Sequence, residues 1–302
     1  MTGRKPAQKN FYITTYPRLA PEKLRLILVR NGESCNRLAP DWHERAFDDG
    51  YKMIDSNQPV KVPISRPHAD FKHDDFLTNV GLFTAETVGR YMEKIQLSPS
   101  AVISSPALRC VQSATALLKK SGDKTTKILI EPGLYEPMLF HKKCPPLMTL
   151  NALEEARFPV NTNHDPIMSL DMMRTLATQE GPHDFYNRVG QVVRTIMDGF
   201  DCNKEGTVII VTHAPVIDAI LRYMLRLYCP WSIADVIRLG VRYPFSGTVV
   251  LERDLGNSEK AKGKTWTLNP YVIPSFHCGF TNLQVEIPEV KPFFGAQATK
   301  QR

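Results

Sequence analysis

Three short apolar runs along the chain are each followed by a turn and then by a helical pattern. They span residues 24–29, 101–104 and 207–211. Continuous runs of valine, isoleucine and leucine with helices between them indicate parallel strands that are buried on both faces. The pattern therefore predicts a three-layer α/β fold, in which a mostly parallel sheet carries helices on both faces.

Further elements follow from local signals. Helices are predicted over residues 107–119, with Ser105 as N-cap and Pro106 at the first helical position, and from residue 214 to about residue 228. A fourth strand is predicted at residues 127–130. Residues 247–252 and 264–269 alternate in a way that predicts a peripheral hairpin around the loop GNSEKAKG.

Two long stretches, residues 36–78 and 132–182, do not follow this alternation. They are interrupted by prolines and are too long for simple connections between strand and helix. We interpret both as excursions over one edge of the sheet, where long loops commonly carry function. One domain over residues 23–282 is the economical interpretation, with a basic N-terminal tail at 1–22 and a C-terminal tail at 283–302.

The positive charge of the chain changes this picture little. Residues 1–10 and residues 256–302 each contribute a net +3 of the total of +7. A nucleic-acid-binding protein typically concentrates its basic residues in a stripe on the folded body, interleaved with aromatics. The charge therefore indicates solubilising ends, and we expect no nucleic-acid partner.

Cysteine spacing and hydropathy bear on the compartment. The 6 cysteines are widely separated, without the paired spacing of a metal site or a disulfide framework. No apolar run approaches the roughly 20 residues that span a bilayer, and no apolar segment follows the basic start as in a signal peptide. We expect no membrane partner and a cytoplasmic or nuclear protein.

Candidate chemistry lies just beyond the predicted strands. In an open parallel sheet, ligands bind beyond the carboxyl ends of the strands. The side chains expected at this rim are Arg30, Asn31, Arg37, Arg109, Glu136 and His213. The planar guanidinium group binds phosphate oxygens in pairs, so three arginines at one rim predict a site for phosphate or a similar anion.

Other candidates are weaker. Cys35 has no arginine at the spacing of a cysteine-dependent phosphatase loop, so a cysteine nucleophile is disfavoured. His43 and His141 are further side chains that could approach the phosphate from the two excursions. A possible metal cluster lies in a loop whose composition is typical of solvated segments, so we expect neither a metal nor another cofactor; its members are His68, His73, Asp70, Asp74 and Asp75.

Three motifs resemble those of one family. LILVRNGES looks like the R-H-G-E signature of the histidine phosphatase (phosphoglycerate mutase-like) superfamily, with Asn31 where the histidine belongs. SSPALRCVQSA and VIIVTHA resemble the segments that carry its second arginine and its second histidine. The resemblance extends from about Arg25 to Gly279. Within the superfamily, it is strongest to the catalytic domain of the Sts proteins and the ecdysteroid-phosphate phosphatases.

The resemblance implies a role for each rim residue. Arg30, Arg37 and Arg109 would hold the phosphoryl group, with His213 as a further donor, and Glu136 would protonate the leaving group. In the family, the first histidine attacks phosphorus and becomes a phosphohistidine. Loss of a nucleophile can lower turnover about 10⁶-fold, or by roughly 8 kcal/mol of transition-state stabilisation.

A second departure from the family follows the predicted proton donor. Pro137 stands after Glu136, where the Sts group usually has an aromatic residue. The change makes the role of Glu136 a weaker expectation than the roles of the arginines.

We therefore predict a pseudophosphatase that binds a phosphorylated small molecule or a phosphoprotein. The alternative is an active or weakly active phosphatase on phosphotyrosine or a steroid phosphate, in which Glu136 or His213 activates water. That alternative includes an engineered His→Asn change at Asn31. A phosphoglycerate mutase is disfavoured, because it also needs the phosphorylated histidine. An interaction protein without an anion site is also disfavoured, because the three arginines at the rim would then have no evident function. The Sts resemblance also suggests a homodimer.

Overall fold

The computed structural model describes residues 19–176, 179–200, 206–229, 232–255 and 265–274. Its strands form one mixed sheet with the order β3-β2-β4-β1-β5-β6. β1 to β4 are mutually parallel, whereas β5 runs antiparallel to β1 and β6 antiparallel to β5. The strands are β1 (Lys23–Arg30), β2 (Ala101–Ser104), β3 (Ile128–Ile130), β4 (Gly206–Thr212), β5 (Thr248–Asp254) and β6 (Thr267–Leu268).

Helices cover both faces of the sheet, which confirms the predicted three-layer α/β architecture. They are α1 (Trp42–Ala46), α2 (Asn79–Lys94), α3 (Leu108–Lys120), α4 (Leu150–Glu155), α5 (Leu170–Leu176), α6 (Pro182–Asp198), α7 (Ala214–Leu225) and α8 (Ile233–Arg242). Alternate residues of β1 explain the two layers. Ile27 and Val29 pack in the core cluster that contains α2 and α3, and Leu26 and Leu28 in the cluster that contains α6, α7 and α8.

The predicted hairpin forms, and its two strands lie at one edge of the main sheet. β5 pairs with β1 from Val29↔Thr248 to Lys23↔Asp254, so it belongs to the main sheet. β6 then pairs with β5 at Leu251↔Leu268. The predicted loop GNSEKAKG lies outside the described residues. Pairing with β1 places the segment just before β5 beside the loop that follows β1.

Two predicted helix boundaries were wrong. α3 begins at Leu108, and its N-cap is Ala107, which keeps an extended backbone, so Ser105 does not cap the helix. The predicted helix from residue 214 ends at Leu225 rather than near residue 228. Its C-cap, Arg226, adopts the left-handed conformation, which a helix cannot continue.

The two excursions are ordered and packed. The first contains α1 and its own aromatic core, built around Trp42, Phe71 and Phe76 and continuous with Leu108 of α3. The second is fastened by Glu131, whose carboxylate accepts the backbone N–H groups of Gly133, Ile167 and Met168. Apart from residues 19–22, the expected terminal tails lie outside the described residues. Within those residues, no helix combines the length and apolar composition that crossing a bilayer requires.

Candidate active site

A cleft of about 420 Å³ opens beyond the carboxyl ends of β1, β2 and β4. Every rim residue predicted from the sequence lines it: Arg30, Asn31, Arg37, Arg109, Glu136 and His213. Both excursions contribute to the walls, as expected, through Lys72 and His73 on one side and Phe140 and His141 on the other. The side of the cleft near α8 was not predicted; it includes Ile237 and Gly240.

The loop after β1 is fixed by backbone contacts. The backbone N–H of Asn31 donates to the Thr212 carbonyl at 2.8 Å, and the backbone N–H of Arg30 donates to the Gly247 carbonyl at 2.9 Å. Gly32 lies directly against Gly81 at the start of α2. A Cβ added at Gly32 would lie only 2.4 Å from the Gly81 carbonyl oxygen, so a larger residue would not fit there. The glycines therefore allow α2 to approach the loop and hold Asn31 at the floor of the cleft.

Asn31 retains one of two functions that a histidine would have at its position. The residue is 3% exposed, and Nδ2 of its side chain donates to the Gly32 carbonyl at 2.8 Å. The amide nitrogen of asparagine and Nδ1 of histidine are both attached to Cγ, so each can make this orienting hydrogen bond. The imidazole Nε2, which lies on the far side of the ring, has no counterpart in asparagine. Asn31 therefore makes the hydrogen bond to Gly32 but carries no ring nitrogen directed away from it.

Arg30 is held by uncharged groups. Its Nη1 donates to the Gly240 carbonyl at 2.8 Å and to the Tyr243 carbonyl, and its guanidinium group lies 3.9 Å from the centre of the Phe245 ring. Nε is buried and has no hydrogen-bond partner among the residues that the structure describes. Burial, together with the positive charges of Arg37 and Arg109, lowers the pKa of Arg30 to about 10. The group stays cationic, but its charge is poorly compensated.

Arg109, in the first turn of α3, is held by two carboxylates. Nη2 donates to Glu136 at 2.7 Å and Nη1 donates to Asp75 at 3.3 Å. Burial acts to lower the pKa of Arg109, but the negative charges around it outweigh burial and raise that pKa above its ordinary value. Asp75 is itself held by the backbone N–H of Asn36 at 2.9 Å.

Glu136 is an ionised group in this cleft. Burial acts to raise the pKa of its carboxyl, but the charge of Arg109 outweighs burial and holds it well below its usual range. His141 Nε2 lies 3.2 Å from the same carboxylate oxygen. A proton donor must carry its proton when the leaving group departs. Glu136 could therefore serve in the predicted role only after an incoming anion has changed its surroundings.

His213 is neutral, and its hydrogen bonds identify its tautomer. Nε2 lies 2.9 Å from Ser105 Oγ, whereas Nδ1 lies 3.3 Å from Arg109 Nη2. Arginine can only donate, so Nδ1 accepts and the proton is on Nε2. Burial and the charges of Arg109 and Arg30 outweigh the carboxylate of Glu136 and lower the pKa of His213 to about 3. To donate through Nδ1 to a bound anion, His213 would have to take up a second proton or change tautomer, with the Ser105 hydroxyl then donating to Nε2.

Arg37 is the most exposed of the three arginines. It ends the short 3₁₀ helix Cys35–Arg37, and its guanidinium carbon lies 5.8 Å from the centre of the Phe245 ring. Phe245 therefore contacts both Arg30 and Arg37, which the sequence pattern gave no reason to expect.

The remaining candidates divide between the cleft and the rest of the molecule. His73 and Asp75 line the cleft, but the described residues contain no group of three or more side chains arranged to hold a metal ion. His141 reaches the cleft, whereas His43 contacts the carbonyl of His68 instead. Burial raises the pKa of the Cys35 thiol well above its ordinary value, which argues against a thiolate nucleophile.

Comparison with known proteins gives consistent results. Residues 66–234 match the sequence profile of the histidine phosphatase superfamily, branch 1. An ecdysteroid-phosphate phosphatase of Drosophila melanogaster is 29% identical over 76% of this chain and 30% of its own length. The human ubiquitin-associated and SH3 domain-containing protein A is 30% identical over 82% of this chain and 37% of its own length. The chain thus spans about a third of these relatives.

The fold has a solved counterpart. The crystal structure of the ecdysone phosphate phosphatase of Bombyx mori, in complex with tungstate, superposes with a TM-score of 0.69. The alignment covers 86% of this chain and 97% of that one, at 24% sequence identity. At that identity, the likeness concerns the fold of the chain.

Proposed function

The chain belongs to the histidine phosphatase superfamily, and we propose that it is a pseudophosphatase, which binds a phosphorylated ligand in the cleft without efficient hydrolysis. Asn31 carries the proposal. Its amide keeps the hydrogen bond to Gly32 that would orient an imidazole, but the amide nitrogen has its lone pair delocalised into the carbonyl. It cannot form the covalent intermediate on which the family's mechanism depends.

The retained cations support binding. Arg30 lines the cleft, and Arg37 adds a second guanidinium group beside the same Phe245 ring. Arg109, which also lines the cleft, supplies a third guanidinium group. A phosphate group with several charged oxygens is the ligand that such planar donors match best.

The proposed ligand is a phosphorylated molecule of either of two classes. The relatives bear the names of an ecdysteroid-phosphate phosphatase and of an SH3 domain-containing protein. A phosphorylated small molecule and a phosphoprotein are both compatible with the open cleft. Cys35, Cys110, Cys144 and Cys229 are free thiols, which favours a reducing compartment such as the cytoplasm or the nucleus.

Weak hydrolysis without a nucleophile is the competing function. It would need Glu136 or His213 to take a proton from water. The pKa of Glu136 lies well below its usual range and that of His213 is lowered to about 3, so both are poor bases at neutral pH. These pKa values favour binding over turnover.

Thermal unfolding in sodium tungstate or sodium phosphate tests the binding. An anion that binds only the native state at about 100 times its Kd adds about 2.7 kcal/mol of stability. We expect the Tm to rise by roughly 5–10 °C for a domain of this size. Arg109→Ala should abolish the rise, and Arg90→Ala, which removes a surface arginine of α2, should preserve it. No rise in the unaltered protein would refute the proposal.

An assay with a generic aryl phosphate tests the missing nucleophile. We expect the unaltered chain to be inert and Asn31→His to hydrolyse the ester at least about 10³-fold faster, given the size of nucleophile effects. Arg109→Ala in the histidine background should remove that activity. Turnover by the unaltered chain that Arg109→Ala abolishes would instead favour an activated water molecule.

A further inference from the structure

The orientation of Arg30 depends on the end of α8. Its guanidinium group makes no ion pair among the described residues; it donates instead to the carbonyls of Gly240, in the last turn of α8, and of Tyr243, its C-cap. Carbonyls at a helix C-terminus are free of intrahelical partners and carry the negative end of the helix dipole. These carbonyl dipoles offset part of the charge of Arg30 and add no further carboxylate to the cleft.

The side chain of Tyr243 leads to a buried carboxylate. Asp218 of α7 is 3% exposed and accepts hydrogen bonds from three groups on different segments. They are the Tyr243 hydroxyl at 3.0 Å, the Tyr186 hydroxyl of α6 at 2.9 Å and Nε of Arg222 at 2.5 Å. Burial and the negative charge of Asp218 raise the pKa of both tyrosines, so both hydroxyls keep their protons and donate.

Few apolar contacts hold α8 in place. Its buried side chains among the described residues are Val236 and Leu239, whereas Ile237 is 62% exposed and Val241 is 91% exposed. A helix with much of its surface exposed opens locally more easily, and a polar contact at its end opposes that opening. The bond from Tyr243 to Asp218 ties the end of α8 to the body of the molecule.

We propose that Asp218 is a positioning residue for the anion site, which acts through Tyr243 to hold the end of α8 and thereby Arg30. Asp218 itself does not line the cleft. The inference rests on the proposed function, because the effect is read out as anion affinity. It gives the three-way hydrogen bonding of Asp218 a consequence beyond stability.

Two tyrosines allow a matched test. Tyr243→Phe and Tyr186→Phe each remove one neutral donor from the same carboxylate, but only Tyr243 belongs to the segment that holds Arg30. We expect Tyr243→Phe to weaken tungstate binding about fivefold to tenfold, from the size of a hydrogen bond to a charged group. Tyr186→Phe should leave the affinity within about twofold, and Asp218→Asn should behave like Tyr243→Phe.

Hydrogen exchange supplies a readout that does not depend on the ligand. Amides of residues 236–243 should exchange faster in Tyr243→Phe than in Tyr186→Phe. Tungstate affinities that stay unchanged in both variants would overturn the inference and leave the proposed function standing. No tungstate binding by the unaltered protein would instead refute the proposed function, and with it any positioning role in anion binding. Equal losses of affinity in both variants would show a merely structural carboxylate.

Discussion

Arg109 Nη2 lies 2.7 Å from Glu136 Oε1, so a principal cation of the cleft is already paired with a carboxylate. An incoming phosphate must compete with Glu136 for this guanidinium group. The ionised carboxylate also repels a dianion, and partial burial of Glu136 strengthens this repulsion. The cleft that we propose to bind anions is therefore partly occupied by the protein's own negative charge.

Glu136→Gln should tighten anion binding. Glutamine keeps the size and the hydrogen-bonding oxygen of the side chain, but it removes the charge that competes for Arg109. Asp75 remains as a carboxylate partner of that arginine. We expect the Kd for tungstate at pH 7.5 to fall about tenfold, or by about 1.4 kcal/mol, measured by calorimetry. Glu86→Gln, which removes a charge near Arg90, serves as control, and unchanged or weaker binding in Glu136→Gln would contradict this account.

His213 should make the stability of the protein depend on pH. Its pKa is lowered to about 3 in the folded protein, against about 6.5 when unfolded. Between those values the unfolded state binds one more proton than the native state, so stability falls as the pH falls through 6.5 and continues to fall toward 3. At pH 5.0 the cost is about 2 kcal/mol, from roughly 1.4 kcal/mol for each unit of difference.

Urea denaturation at pH 7.5 and pH 5.0 measures this cost. We expect the unaltered protein to lose about 2 kcal/mol more of its free energy of unfolding over this interval than His213→Gln. The comparison of two pH values cancels any constant effect of the substitution, including the altered contact with Ser105. Equal losses in both proteins would mean that His213 is not buried as a neutral ring.

Gly81→Ala should separate α2 from the loop that carries Asn31. A Cβ at Gly81 would lie 2.0 Å from the Glu33 carbonyl oxygen, and backbone cannot move away as a side-chain end can. We expect a loss of about 3 kcal/mol or more in stability, measured by urea denaturation. Gly240→Ala is the matched control, because a Cβ there meets nothing within 4 Å, and a helical alanine should stabilise by about 0.5–1 kcal/mol. Equal effects of the two substitutions would contradict the close approach.

The local sequence determined the sheet and much of its functional rim. Apolar runs identified β1, β2, β3 and β4 to within a residue or so, because buried parallel strands carry continuous hydrophobic sequence. The residue types at the ends of those strands also predicted a common rim, since parallel strands present their carboxyl ends to one edge. α8, with Gly240 and Tyr243, was not predicted. The other helices at the rim were located from the strand that precedes each of them, and in the described residues no strand directly precedes α8.

By itself, then, the sequence determined the fold class, the set of side chains at the rim and the presence of asparagine instead of histidine at position 31. Only the tertiary structure decided their chemical states. The ionisation of Glu136, the tautomer of His213 and the support of Arg30 each depend on partners that the chain brings from elsewhere, in the last case from 210 residues away. Charge and hydrogen bonding change steeply over a few ångströms and with burial. Distances of that kind are set by packing between elements, and no local pattern in the sequence encodes them.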